Sequence, residues 1–258
     1  MRNFPGNEAV RPAVQAVARR MGPYAAMWIV LAVGGLLVVG LAALAAEIYE
    51  SVVETDGMAG VDEPLLAWAV DRRTPELSAG VTAFTDLGGT VGMPVLAVLV
   101  IAVLSRISRS WRPLILIAVA ALGSLAMTVV GKNVIGRSRP DLADAVPPYE
   151  SSPSFPSGHT LNTTAILAVI AYLCCLEIDV LLGRLALIAA CSLFVVLMGL
   201  SRVFLGHHWF TDVAAAWALG LAWAALVVLA HRVFHTVRRV RRDQRAAAVG
   251  TNGPGWEA

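Results

Sequence analysis

Residues 201–212, SRVFLGHHWFTD, place an arginine, two histidines and an aspartate between two runs of almost pure Ala, Val, Leu and Ile. His208 and Asp212 are four apart, so they share one face if a helix begins here. A carboxylate held on one imidazole nitrogen fixes the tautomer and leaves the other nitrogen free to attack. Taken alone, such a pair is more readily a structural hydrogen bond. Two further stretches, GKNVIGRSRP (131–140) and PSFPSGHT (153–160), add Lys132, Arg139, Ser157, Gly158 and His159. As an imidazolium beside Thr160, His159 could give a proton to a departing alkoxide. Lys132, Arg139 and Arg202 are three cations with no evident surplus of acids beside them, which calls for an anion. Guanidinium forks match phosphate oxygens, and backbone N–H groups of Ser157 and Gly158 at a helix start favour negative charge.

Other readings compete. Basic residues can grip lipid headgroups from the interface, an account that suits Arg137. His159, His207, His208 and Asp212 are possible metal ligands, but three neighbouring cations would repel a divalent ion. A proton or ion pathway would want charges in the middle of apolar segments, where this chain has almost none.

The elements that must position these residues follow from composition. The 258 residues are 57% hydrophobic and 15% charged with mean hydropathy +0.70, and the net charge of +2 gives no support to a nucleic-acid partner. Such values indicate an integral membrane protein. Six stretches are long enough to cross a bilayer core, which takes roughly 17–25 helical residues. They fall near 25–46, 87–105, 113–131, 160–177, 185–200 and 213–231, the fifth short with soft ends. Unpaired backbone is not tolerated in lipid, so the expected fold is all-α, six transmembrane helices in one bundle. Cys174, Cys175 and Cys191 lie inside apolar runs and read as packing residues. Ala43, Leu44 and Ala45 resemble a cleavage motif, but the preceding run is too long for a usual signal peptide.

Charge asymmetry orients the bundle. Arg2, Arg11, Arg19 and Arg20 precede the first span; Arg106, Arg109 and Arg112 follow the second; Arg232, Arg238, Arg239, Arg241, Arg242 and Arg245 follow the sixth. Segment 47–86 carries nine acids against Arg72 and Arg73. Both termini are therefore expected in the cytoplasm, with the connections after spans one, three and five outside. All three polar stretches then share the outer side, at or near span ends.

Lys132 through Pro140 fits KxxxxxxRP, residues 156–159 read PSGH, and Ser201 through Asp212 fits SRxxxxxHxxxD. In this order and spacing they resemble the signature of the type 2 phosphatidic acid phosphatases, membrane relatives of the vanadium-dependent haloperoxidases. The resemblance covers about residues 60–230. It implies His208 as nucleophile forming a phosphohistidine, Asp212 as its orienting acid, and His159 as acid and then base. It implies Lys132, Arg139, Arg202, Ser157 and the Gly158 backbone as the phosphoryl clamp, with no metal or other cofactor required. His207 falls outside the signature. The implied substrate is a lipid phosphate of the polyprenyl pyrophosphate, phosphatidylglycerol phosphate or phosphatidic acid type. Family phosphotransferases, which pass the group to an alcohol, and a non-catalytic lipid-phosphate binder or transporter are the alternatives.

Between spans one and two, Asp62 before Glu63-Pro64 and Thr74 before Pro75 read as helix N-caps. Val61, Leu65, Trp68 and Ala69 form a stripe suited to a helix lying on the outer membrane surface, where it would shape lipid entry. The expected organisation is a cytoplasmic tail (1–24), a catalytic bundle (25–231) and a basic cytoplasmic tail (232–258) disordered at its end. Lys132 is the sole lysine among 20 basic residues. With the abundance of Ala and Val, that suggests a GC-rich bacterial genome and hence the inner membrane. Neither the lipid nor the oligomeric state is legible.

Overall fold

A computed structural model describes residues 25–250. They form eight α-helices and two 3-10 turns, with no strand among the described residues. In chain order these are α1 (Ala25–Glu54), α2 (Asp62–Val70), α3 (Pro75–Asp86), α4 (Gly92–Ser108), α5 (Arg112–Ile135), α6 (Gly158–Glu177), α7 (Leu181–Phe204) and α8 (Phe210–Gly250). Five are long and apolar enough to cross a membrane: α1, α5, α6, α7 and α8. The second expected span, α4, is apolar but has 17 residues, about 26 Å of helix against a core of about 30 Å. The structure thus gives five long spans and one short helix where six spans were expected. The fifth expected span is longer than its sequence window, because α7 has 24 residues and continues through Arg202 into the polar stretch. The N-terminal tail and the end of the C-terminal tail lie outside the described residues, although α8 itself continues as helix to Gly250.

Two compact units are present, Leu37–Val227 and a second made of residues up to Leu36 and from Val228 onward. All the residues singled out for chemistry belong to the first. In that unit α6 is the central helix. Of its most apolar window 61% is buried, against 6% for α7, whose outer face presents Leu182, Leu185 and Leu193. Lipid is as apolar as Leu, so close packing rather than burial holds such helices together. Gly199 of α7 shows this, because a Cβ there would lie 2.5 Å from the Trp217 ring of α8. Trp217 Nε1 also donates to the Val195 carbonyl at 3.1 Å. The small side of α7 thereby receives the largest residue of α8. Ala43–Ala45 sits within α1, whose Ile48 packs with Phe155 and Ala215.

The acidic segment forms α2 and α3 as two short helices. Thr74 caps α3, its Oγ1 accepting from Leu77 N at 3.2 Å with Pro75 in the first turn. Asp62 does not cap α2. Val61 takes that position, and Asp62 is the first helical residue, its side chain buried and engaged elsewhere. The packed face of α2 is Asp62, Leu66 and Ala69, while Val61 and Trp68 of the expected stripe are exposed. Arg73, just after α2, donates to the carbonyls of Phe204 and Asp144, both at 2.6 Å. It thereby ties this segment to the end of α7.

Candidate active site

The corner between α7 and α8 is built by local backbone rules. Gly206 adopts φ 71°, a left-handed conformation favourable to glycine. Gly206 N donates to Val203 O at 2.9 Å and His207 N to Arg202 O at 3.0 Å, the paired bonds of a Schellman helix end. His208 N also reaches Arg202 O, at 3.2 Å. At the start of α8, Asp212 reaches back to accept from Trp209 N at 3.0 Å, half of a capping box. Ending one helix and starting the next brings His208 beside Asp212.

Asp212 is fully buried and each of its oxygens is occupied. Oδ2 accepts from Trp209 N and from the Ser154 hydroxyl, and lies 3.4 Å from His208 Nδ1; Oδ1 accepts from Arg137 Nη1 at 2.6 Å. The Ser154 hydroxyl also lies 3.3 Å from His208 Nδ1. The opposite ring nitrogen, Nε2, is 3.3 Å from Arg139 Nη1. The imidazole is thus held at Nδ1 with Nε2 turned toward a cation. Burial, then Arg139 and Arg202, push the His208 imidazole well below its ordinary value, so it is neutral at pH 7.

The three cations are not free of acids, and the sequence expectation is corrected here. Glu150 bridges two of them, its Oε2 accepting from Arg139 Nη2 at 2.7 Å and its Oε1 from Arg202 Nη2. Burial raises the Glu150 carboxyl, but Arg202, His208 and Arg139 outweigh it and bring it down to about 2. Arg139 further donates to Ser152 O at 2.7 Å and His207 O at 2.5 Å. Arg202 Nη1 reaches Thr85 Oγ1 at 3.2 Å, and its Nε has no partner. Lys132 Nζ reaches Ser152 Oγ at 3.0 Å and the Pro153 carbonyl.

A cavity of about 870 Å³ opens beside this cluster, and Lys132, Glu150, Gly158, His159 and Arg202 line it together with apolar residues of α4, α5 and α6. His159, near the start of α6, comes close to the loop after α3: a Cβ on Gly89 would be 3.3 Å from His159 Nε2. Ser157 N-caps α6 without a side-chain bond to its backbone, and its hydroxyl lies 2.9 Å from Thr160 Oγ1 instead. His207 is buried, with Nε2 donating to Val146 O at 2.6 Å, which bolts the corner to the 140s loop. Among the described residues no group of three or more His, Cys, Asp or Glu converges as a metal ion needs.

All the residues expected at the site therefore lie around one corner and one cavity. Sequence reading missed Asp62, Arg137, Glu150 and Ser154. Arg137 was read as a headgroup contact, yet it joins Asp212 to Asp62. Its place two residues before Arg139 was the one available signal.

A family model described as the PAP2 superfamily matches residues 112–235. The chain is 34% identical over 175 residues to phosphatidylglycerophosphatase B of Bacillus subtilis, spanning 67% of this chain and 85% of that protein. It is 32% identical over 140 residues to decaprenylphosphoryl-5-phosphoribose phosphatase of Mycobacterium tuberculosis, over 53% of this chain and 70% of that one. Among solved structures, the PAP2-type phosphatidylglycerolphosphate phosphatase of Bacillus subtilis superposes with TM-score 0.65 at 32% identity, covering 75% of this chain and 93% of that one. LpxE of Aquifex aeolicus gives TM-score 0.52 at 21% identity over 65% and 94%, a likeness of fold. With the three motif blocks gathered at one corner of a helical membrane bundle and these relatives in hand, the chain belongs to the PAP2 superfamily.

Proposed function

We propose that this protein hydrolyses a terminal phosphate from a lipid, through a phosphohistidine formed on His208. The observation that carries the proposal is the His208 ring, held at Nδ1 by Asp212 with Nε2 facing Arg139, beside a cavity lined by His159, Lys132 and Arg202. The curated relatives are named as phosphatases of phosphatidylglycerophosphate and of a decaprenylphosphoryl sugar phosphate, which supports the lipid class.

In the first step the Nε2 lone pair attacks phosphorus and the bond to the lipid oxygen breaks. Protonated His159 gives its proton to that oxygen, and Asp212 stabilises the positive charge appearing on His208. Arg139, Arg202 and Lys132, with the Gly158 N–H, offset charge on the phosphoryl oxygens as the transition state forms. Ser157 stands at the start of the same helix. Neutral His159 then takes a proton from water, whose oxygen attacks phosphorus. The P–N bond breaks, its electron pair returns to Nε2, and inorganic phosphate leaves.

This chemistry needs no metal, because the cations supply the electrostatic stabilisation. The arginine asymmetry supports a site on the outer side with both termini in the cytoplasm. Residues 25–231 carry the catalytic bundle, and the basic stretch after 231 lies inside. Thr82 of α3 lines the cavity, which supports a role for the 61–84 segment in shaping lipid entry.

The test is phosphate release from a panel of lipid phosphates in detergent, with chelator present. The wild type should release phosphate and His208→Ala should not. Retained release in that variant would refute the phosphohistidine; no free phosphate, with an alkyl phosphate formed once an alcohol is added, would identify a phosphotransferase.

A further inference from the structure

Asp62 is a buried acid that the three motif blocks do not include. It lies in the first turn of α2 and is 3% exposed. Its Oδ2 accepts from Arg137 Nη2 at 2.7 Å and from Thr211 Oγ1 at 2.6 Å, and its Oδ1 from Thr211 N at 2.9 Å. The last bond satisfies an N–H in the first turn of α8, so a carboxylate 149 residues away caps the helix that carries Asp212. Arg137 spans both acids. Nη2 meets Asp62, while Nη1 meets Asp212 Oδ1 at 2.6 Å and Thr211 Oγ1 at 2.8 Å.

We propose that Asp62 and Arg137 are positioning residues for the reaction: they fix Asp212 so that its second oxygen faces His208. The proposal rests on the reading of His208 and Asp212 given above.

Two features separate this from an ordinary buried ion pair. First, buried pairs are weak evidence for stability, because apolar residues of similar volume often replace them without loss. Here the pairing ends on the acid that contacts the nucleophile. With Oδ1 held by Arg137, rotation of the Asp212 carboxylate away from His208 would break the 2.6 Å contact. Second, the charges alternate. Asp62 and Asp212 flank one guanidinium, so the trio carries one net negative charge. Arg137 thereby orients Asp212 without cancelling its support for the positive charge that develops on His208. Without the Asp62 carboxylate the guanidinium would bear on Asp212 alone, and that support would weaken. Loss of either residue should therefore slow the chemical step rather than weaken substrate binding.

The experiment measures kcat and KM for dioleoyl phosphatidic acid in detergent micelles, in the full-length protein, for Asp62→Asn and Arg137→Gln. Each is also combined with Asp212→Asn, and active protein is counted by vanadate binding. Each single variant should lose about 10- to 100-fold in kcat with KM within about threefold of wild type. In the Asp212→Asn background either change should cost less than about threefold, because residues acting as one unit are not additive. Thr211→Val removes the hydroxyl that both groups share while leaving the charges, and it carries the same test if Arg137→Gln does not fold. Its kcat should fall severalfold. Wild-type kcat in the folded variants, a loss confined to KM, or an undiminished loss on top of Asp212→Asn would each overturn the positioning role. Activity surviving in His208→Ala would instead overturn the reading on which the proposal rests.

Discussion

Replacing Glu150 with glutamine should make the protein bind phosphate and vanadate more tightly. The Glu150 carboxylate joins Arg139 Nη2 at 2.7 Å and Arg202 Nη2, the two guanidiniums proposed above to hold the phosphoryl group. An entering anion must displace both bonds. A hydrogen bond to a charged group is worth about 1.5–3 kcal/mol, and one between neutral groups about 0.5–1.5 kcal/mol. Glutamine keeps one acceptor oxygen and turns an NH2 donor toward the second guanidinium, so one of the two charge-assisted bonds is lost, about 2 kcal/mol. The Glu150 side chain is 29% exposed, so solvent already screens part of this, leaving about 1–1.4 kcal/mol. That corresponds to a five- to tenfold fall in the inhibition constant. The assay is competitive inhibition of phosphate release by inorganic phosphate and by orthovanadate, wild type beside Glu150→Gln. An unchanged or higher constant would show that Glu150 does not compete for the clamp. The carboxyl is held down at about 2, below its unfolded value near 4.5, so the stability it contributes is complete above about pH 4.5 and fades as pH falls through 2. The difference between the two proteins should accordingly be flat from pH 5 to 8.

Asp212→Asn should cut kcat about 10³–10⁴-fold, because an amide no longer fixes the productive tautomer; a loss under tenfold would refute its role. His159→Ala should lose at least about 10²-fold on an alkyl lipid phosphate and much less on a nitrophenyl phosphate, whose leaving group needs no proton; equal losses would argue against a general acid. His208 faces Arg139, Arg202, Lys132, Glu150 and Asp212, and its imidazole lies well below 6.5. Protonation removes the attacking lone pair, so the acid limb of kcat/KM set by His208 should lie well below pH 6.5. The unfolded histidine binds a proton near pH 6.5 and the folded one does not, so its contribution to stability falls as pH drops below 6.5. Gly206→Ala should destabilise by about 1–2 kcal/mol from the left-handed backbone alone, with further cost because its Cβ would meet the Asp144 carbonyl. A melting temperature equal to wild type would refute the strain.

The three motif blocks were legible because their residues are fixed by local rules: a helix end after Arg202, a capping acid at Asp212, a helix start after Ser157. Orientation and span number drew on composition, which is why the short α4 fell between a span and a lesser helix. Asp62 was misread because an acid ahead of Glu-Pro satisfies every local sign of an N-cap. Its partners lie 75 and 149 residues away and leave no periodic trace. Glu150 and Ser154 sit in irregular chain between α5 and α6, where no pattern announces which side chain turns inward. The supposed shortage of acids at the cations came from looking along the chain rather than across it.

The Schellman end of α7 makes Arg202 and His208 a single mechanical piece. The His208 N–H hangs on the Arg202 carbonyl, so their separation does not depend on how neighbouring helices splay in thinner or thicker bilayers. The cavity wall supplied by α4, through Met93 and Pro94, belongs to a helix apart from that piece. That wall can therefore be recut for a different lipid, by substitution or by grafting from a relative, without retuning the chemistry at the corner.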